Sequence, residues 1–151
     1  MTDAEDFIRS NLPAGPVPDV PGVLLHMAGS ASRLGSFVNR SPYWAYPWAG
    51  GMALARHIQV RPETVRNRAV VDIGAGSGLV AIAAMKAGAA GAIACDADAV
   101  AQAAIRLNAR LNGVHIDVVE EAEHSLSGAD LLLAGDVFYD EQIGATMSAL
   151  F

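Results

Sequence analysis

The chain has 151 residues, of which 52% are hydrophobic and 17% are charged, and its formal net charge is −6. This length and hydrophobicity fit one domain with a sizeable core. The acidic balance argues against a nucleic-acid partner, because proteins that bind nucleic acids usually carry a basic patch. It mildly favours a basic substrate or a cationic protein surface, and an acidic charge that serves solubility alone is the alternative.

The cysteine content, the first residues and the lengths of the apolar runs bear on the location of the protein. The single cysteine, Cys95, cannot form a disulfide within the chain, which favours a reducing cytoplasm. The first residues are acidic and lack the basic region of a signal peptide. Apolar runs fall short of the ~20 residues of a membrane span. We therefore expect a cytoplasmic protein that makes no membrane contact.

The first part of the chain alternates short predicted elements with irregular segments. Prolines are dense between residues 13 and 22, and each of them fixes φ and removes a hydrogen-bond donor. The predicted elements are a helix over 3–11, an extended connector over 13–22, a short strand or helix start over 23–27, an aromatic loop over 42–51 and a helix over 51–60. We expect residues 1–41 to be an N-terminal extension and residues 42–151 to be the main domain.

From residue 69 onward, apolar strands alternate regularly with helices. The predicted strands are 69–73, 92–95, 116–119 and 130–134, and the predicted helices are 78–87, 98–111 and 141–150. Continuous apolar strands that alternate with helices indicate a parallel sheet covered on both faces. The expected fold class is α/β, a Rossmann-like doubly wound parallel sheet.

The most informative motif is the glycine loop that follows the strand 69–73. Its glycines fall at Gly74, Gly76 and Gly78, and the next residue is Leu79. A dinucleotide fingerprint, Gly-x-Gly-x-x-Gly, would need a glycine at position 79. The loop therefore favours S-adenosylmethionine over NAD, and an NAD-dependent oxidoreductase is kept as a rival interpretation.

Acidic residues flank this loop and follow the next strand. In an open α/β sheet, ligands bind beyond the carboxyl ends of the strands. Asp96 ends the second predicted strand and is placed to accept hydrogen bonds from ribose hydroxyls, whereas Asp98 is the better cap for the next helix. Asp72 is placed to hold the glycine backbone or to meet the methionine amino group of the cofactor, and a purely structural role is the alternative.

The ends of the third and fourth predicted strands are also polar. Glu120, Glu121 and Glu123 follow the third strand, where one of them could reach an adenine amino group or all could be solvated. Asp136 and Tyr139 follow the fourth strand. This acid-x-x-aromatic spacing places a carboxylate and a phenol near a transferred group, and a capped turn with a packed tyrosine is the alternative.

The aromatic loop at 42–51 is unusually dense in tyrosine and tryptophan. Aromatic faces can line an amine channel or hold a sulfonium by cation–π contact, and a packed flap without a direct role is the alternative. The four histidines lack metal-ligand spacing. Ser77 stands in Ala75-Gly76-Ser77-Gly78 and not in a Gly-x-Ser-x-Gly elbow, so a hydrolase is disfavoured.

These motifs together resemble those of a known family. The segment 71–78 resembles motif I of class I (seven-β-strand) S-adenosylmethionine-dependent methyltransferases. The segments 42–51 and 135–141 resemble the family-16 branch of protein lysine methyltransferases, in particular the electron-transfer flavoprotein β-subunit lysine methyltransferases and their bacterial relatives. The resemblance covers roughly residues 23–151, and its aromatic-Gly-Gly and Asp-x-x-Tyr parts are more specific than motif I.

The resemblance implies roles for particular residues. Gly74, Gly76 and Gly78 would meet the methionine portion of the cofactor and Asp96 its ribose. Trp44 and Trp48 would border the cofactor or substrate pocket. Asp136 and Tyr139 would lie near the incoming lysine, as the catalytic pair.

The implied activity is N-methylation of a lysine in a protein substrate, such as the electron-transfer flavoprotein β-subunit. The alternatives are a small-molecule amine N-methyltransferase and a truncated cofactor-binding domain without activity. No nucleic acid, membrane or metal is expected, and a homo-oligomer is possible. The family's fifth strand and terminal hairpin have no counterpart before Phe151, so we expect the fold to be incomplete at its C-terminus.

Overall fold

A four-stranded parallel sheet organises the fold. The computed structural model describes residues 3–34, 41–122 and 126–136. The strands of the sheet are β3 (Ala69–Ile73), β4 (Gly91–Cys95), β5 (Asp117–Val119) and β6 (Leu131–Leu133), in the order β5-β4-β3-β6. Its helices are α1 (Asp3–Asn11), α2 (Ala49–Val60), α3 (Leu79–Lys86) and α4 (Ala99–Leu111). The predicted parallel α/β sheet is confirmed.

The register of the strands places β3 at the centre of the sheet. Val71 of β3 lies opposite Ile93 of β4 on one side and Leu132 of β6 on the other. The chain runs from β3 through β4 to β5 in one direction and then returns to the other side of β3 for β6. The strand order therefore reverses at β3, where an open α/β sheet binds its ligands.

The main hydrophobic cluster lies between one face of this sheet and helices α2, α3 and α4. Alternate residues of each strand point to opposite faces, so Val70 and Leu133 enter this cluster, whereas Val71 and Ile73 belong to the second face. Helix α3 is apolar on all sides because it lies between the sheet and α2. The second face meets a short 3-10 turn, Leu126–Gly128.

The proline-rich segment is more ordered than the sequence indicated. Residues 14–16 form a strand, β1 (Ala14–Pro16), which pairs antiparallel with β2 (Leu24–His26). The prediction of an extended connector over 13–22 therefore missed the strand pairing of residues 14–16. A proline is compatible with an edge strand when its missing N–H faces away from the ladder, and β1 pairs on one side within the described residues.

The segment before residue 42 shares its core with the rest of the chain. Val17, Val20, Val23 and Leu25 of the hairpin are buried in the main cluster. Helix α1 packs on α4 through a second cluster and through an ion pair in which Glu5 meets Arg110 at 2.8 Å. The division of the chain at residue 41 stays a prediction, as does the helix at 141–150, which lies outside the described residues.

The observed helices agree with the predicted ones to within two residues at each end. Helix α2 begins at Ala49, two residues before the predicted start, and α4 begins one residue after its predicted start. Among the helices of the described residues, none is long and apolar enough to cross a membrane.

Candidate functional site

The carboxyl ends of the four parallel strands bring the predicted polar residues to one edge. The glycine loop follows β3, Asp96 follows β4, Glu120 and Glu121 follow β5, and Asp136 follows β6. Both glutamates are exposed. Glu123 and Tyr139 lie outside the described residues.

The glycine loop joins β3 to α3 through three glycines with positive φ. The φ angles of Gly74, Gly76 and Gly78 are 64°, 53° and 81°, a region in which other residues are strained. Gly74 is exposed and Gly76 is half-buried. Gly78 is buried, and a Cβ there would lie 3.1 Å from Ile105 Cγ2. Gly78 thus permits close packing of α4, while Gly74 and Gly76 leave the loop backbone open to a ligand.

Asp96 fastens the glycine loop to the end of β4. Its Oδ2 accepts a hydrogen bond from Gly76 N at 2.8 Å, and its Oδ1 accepts one from Asp98 N at 2.9 Å. Burial raises the pKa of Asp96, and these two backbone bonds partly offset that rise. Each carboxylate oxygen has a second lone pair, so both can still accept a hydroxyl donor.

Asp98 has the capping role that its position predicted. Its Oδ1 accepts from Val100 N at 2.8 Å at the start of α4. The neighbouring acids therefore divide between two tasks. Asp98 caps the start of α4, whereas Asp96 is bound to the loop at the candidate site.

Asp72 is a buried carboxylate beneath the glycine loop. Its side chain accepts a hydrogen bond from Ala81 N in the first turn of α3, at 3.1 Å. Burial raises its pKa to about 7, and the nearby charge of Asp96 adds to the rise. The hydrogen bond goes to α3 and not to a glycine of the loop, which corrects the first of the two roles predicted for Asp72.

Asp136 is bound to the start of α2. Its Oδ1 accepts from Gly50 N at 3.0 Å and its Oδ2 accepts from Gly51 N at 2.5 Å. A Cβ at Gly50 would lie 2.5 Å from Asp136 Oδ1, and a Cβ at Gly135 would lie 2.9 Å from the Gly51 Cα. The junction between β6 and α2 therefore has room only for glycine at these positions.

The two tryptophans of the aromatic loop occupy different environments. Trp44, within a 3-10 turn (Tyr43–Ala45), is buried against α1 and α4. A Cβ at Gly76 would lie 3.7 Å from the Trp44 Cα, so Trp44 lies beside the glycine loop. Its buried Nε1 has no hydrogen-bond partner among the described residues. Such an unpaired donor costs about 1–3 kcal/mol unless an acceptor is supplied.

Trp48 instead belongs to an exposed aromatic cluster that we define as Tyr43, Tyr46 and Trp48. Its ring centroid lies 5.9 Å from that of each tyrosine. Its Nε1 donates to Tyr43 O at 2.8 Å, and 47% of the residue is exposed. The cluster immediately precedes α2, whose first turn holds Asp136.

Sequence reasoning missed Asn108, a fully buried polar residue in α4. Its amide donates to Ser77 O inside the glycine loop at 2.9 Å. The available signal was an asparagine within an alanine-rich, otherwise buried helix face. A buried amide is generally hydrogen-bonded on both of its ends, so such a residue predicts distant partners.

Comparisons with known proteins agree with this geometry. The family model for ribosomal protein L11 methyltransferase (PrmA) matches residues 56–135. The electron transfer flavoprotein beta subunit lysine methyltransferase of Rattus norvegicus is 40% identical over 109 residues, 70% of this chain and 43% of that protein. The ribosomal protein L11 methyltransferase of Symbiobacterium thermophilum is 46% identical over 70 residues, 42% of this chain and 23% of that protein.

A solved structure shares the fold. It is that of a candidate RNA methyltransferase from Pyrococcus horikoshii, with a TM-score of 0.55 and 17% sequence identity over 73% of this chain and 60% of that one. The chain spans less than half the length of the flavoprotein lysine methyltransferases it matches. The family match contains the glycine loop and Asp96 and ends one residue before Asp136.

Proposed function

The chain belongs to the ribosomal protein L11 methyltransferase family, and from that premise we propose that it is an S-adenosylmethionine-dependent N-methyltransferase. Its proposed acceptor is a lysine side chain of a protein. The observation that carries the proposal is the bond between Gly76 N and Asp96 Oδ2, at the point where the strand order reverses. This bond supports the proposal because it joins an open glycine backbone to a carboxylate that can accept hydrogen bonds from ribose hydroxyls.

The residues at this edge fit the chemical parts of the cofactor. Gly74 and Gly76 have no side chains to block the approach of its methionine portion. Asp96 has free lone pairs for ribose hydroxyls, and Asp72 is a carboxylate for the amino group, directly or through water. The Nε1 of Trp44, which has no partner among the described residues, could donate a hydrogen bond to the cofactor. When bound, S-adenosylmethionine would supply a sulfonium methyl group for in-line displacement by a neutral amine, with S-adenosylhomocysteine as the leaving group.

Asp136 suits an orienting role better than that of a general base. Both of its oxygens already accept backbone N–H bonds, which hold the carboxylate in one position at the start of α2. A carboxylate close to an amine favours the charged amine, whereas desolvation favours the neutral, reactive one. Asp136 therefore directs the amine, and orientation of this kind can supply ~7–11 kcal/mol of the barrier. We propose Tyr139 as its companion, as the Asp-x-x-Tyr motif implies.

The exposed aromatic cluster supports a polypeptide acceptor. Tyr43, Tyr46 and Trp48 present aromatic surface beside Asp136, and aromatic faces attract a lysine ammonium. The net charge of −6 favours a cationic segment. Curated relatives are named for lysine methylation of the electron transfer flavoprotein beta subunit, and we propose that subunit as the first substrate to test.

A calorimetric titration with S-adenosylmethionine tests the cofactor half of the proposal. We expect the wild-type chain to bind, and Asp96→Asn to weaken binding at least tenfold because it removes a charge and an acceptor from the ribose position. Asp98→Asn is the matched control, since Asp98 caps α4 two residues away. Equal binding by both variants would contradict the role of Asp96.

A methyl-transfer assay tests the second half of the proposal, the transfer of the methyl group to a lysine. The chain is incubated with the cofactor and the flavoprotein β-subunit, and lysine methylation is measured by mass spectrometry. We expect Asp136→Ala to keep cofactor binding and to lose transfer. Because this variant also removes the acceptors of Gly50 N and Gly51 N in the first turn of α2, its unfolding free energy should fall by about 1 kcal/mol. Undiminished transfer by folded Asp136→Ala would overturn its role.

A further inference from the structure

Asn108 connects two parts of the molecule that are far apart in sequence. Its Oδ1 accepts from His26 N of β2 at 2.9 Å, and its Nδ2 donates to Ser77 O of the glycine loop at 2.9 Å. The side chain is fully buried, so neither bond competes with water. One amide therefore holds the N-terminal hairpin and the loop together.

Asn112, one turn later in α4, shares only half of this arrangement. Its side chain accepts from Leu24 N at 3.0 Å and donates to Leu24 O at 2.6 Å. It also donates to Asn108 O at 2.8 Å. The two asparagines thus hydrogen-bond the edge of β2 that faces away from β1, but only Asn108 reaches the glycine loop.

The carbonyl that Asn108 binds lies in the part of the glycine loop with the greatest conformational freedom. Ser77 stands between Gly76 and Gly78, both with positive φ, and glycine peptides of this kind have many alternative orientations. Asp96 fixes the amide of Gly76, and Asn108 fixes the carbonyl of the following residue, Ser77. The loop is therefore restrained on two successive residues from two different elements.

From this geometry we propose that Asn108 is a positioning residue that presets the glycine loop for the cofactor. Loss of its donor leaves Ser77 O buried without that bond and frees the loop to rotate, so part of the binding energy is then spent on ordering it. The inference rests on the proposed cofactor role of the loop. It goes beyond that role by assigning Asn108 to the support of the loop and by connecting the loop to the N-terminal hairpin.

The test compares Asn108→Asp with Asn112→Asp. The Asn108→Asp substitution keeps the acceptor for His26 N and the shape of the side chain but replaces the donor that faces Ser77 O. We expect the Kd for S-adenosylhomocysteine, measured by calorimetry well below the unfolding temperature, to rise roughly tenfold or more in the 108 variant. The Kd of the 112 variant should stay within about twofold of wild type, even where its stability falls.

A second variant covers the case in which a buried charge at 108 prevents folding. Asn108→Ala removes both bonds, favours the helix and carries no charge, and it should weaken cofactor binding to the same extent as Asn108→Asp. If folded Asn108 variants bind as tightly as the Asn112 variant, Asn108 is a structural residue only and the inference is wrong.

Amide hydrogen exchange separates this inference from the proposed function. We expect the amides of Gly76 and Gly78 to exchange faster in the Asn108 variants and at the wild-type rate in Asn112→Asp. Should the wild-type chain bind no cofactor, the proposed function fails, and unchanged exchange at these glycines would then refute the positioning role independently.

Discussion

Asp72 shows how a single buried acid links the candidate site to pH. Its ordinary pKa is 3.8, and burial raises the pKa to about 7 in the folded chain. Between these values the folded chain binds more protons than the unfolded chain. The free energy of unfolding therefore falls as the pH rises through this window, by up to about 1.4 kcal/mol per pH unit from this group.

Asp72→Asn should remove this contribution. Asparagine can still accept from Ala81 N, but it does not ionise. We expect the stability of the variant relative to wild type to increase as the pH rises from about 4 to about 7 and to level off above that range. Urea unfolding of both proteins across the window measures the difference, and a constant difference at all pH values would contradict the raised pKa.

Sequence reasoning predicted where the candidate site residues lie, after the strands of the sheet, but it did not predict their hydrogen-bond partners. Asp96 and Asp98 are found in this way because a strand end fixes where a residue lies along the sheet. The partners of Asp136 and Asn108 were not predictable from local pattern. The bonds of Asp136 to Gly50 and of Asn108 to His26 span 86 and 82 residues, and only the packed structure brings such groups together.

At the scale of elements, the N-terminal hairpin is the least predictable part. Periodicity predicts helices such as α1 and α4 because an apolar stripe recurs every three to four residues. The prolines around β1 argue against a strand in the sequence. The strand forms because β1 pairs with β2, which is in turn hydrogen-bonded by the asparagines of α4. The hairpin therefore forms through its hydrogen bonds to α4 and its burial in the main cluster, and not through local sequence preference.

The hairpin's contribution to the core can be measured with two adjacent leucines. Leu25 is fully buried in the main cluster, whereas Leu24 is 39% exposed. We expect Leu25→Ala to lower the unfolding free energy by about 2–5 kcal/mol and Leu24→Ala by well under half of that. Denaturant unfolding measures both, and equal effects would mean that the hairpin does not pack as described.

At the scale of the whole molecule, ligand binding should stabilise the fold, because the site joins loops from several strands. A ligand present at 100 times its Kd adds about 2.7 kcal/mol to the folded state. For a chain of this length we expect the unfolding midpoint to rise by roughly 10 °C with S-adenosylhomocysteine. NADH at the same concentration is the control. A larger rise with NADH would revive the dinucleotide interpretation.

The overall architecture was the most predictable level. Alternating apolar strands and helices specify a parallel sheet, because only such a sheet buries both strand faces. The strand order β5-β4-β3-β6 does not follow from the pattern alone. The general rule that open α/β sheets bind ligands beyond the carboxyl ends of their strands, where the strand order reverses, supplied the expectation of the ligand edge.

The central position of β3 has a consequence for synthesis on the ribosome. Asp130, just before β6, accepts from Ala69 N at the start of β3, and 61 residues separate the two. During translation at roughly 5–20 residues per second, several seconds therefore pass between the synthesis of β3 and that of β6, its second neighbour in the sheet. Its valine-rich edge is open to other nascent or misfolded chains throughout that interval. The yield of native protein should thus depend on translation speed between these strands and on chaperones that shield this edge.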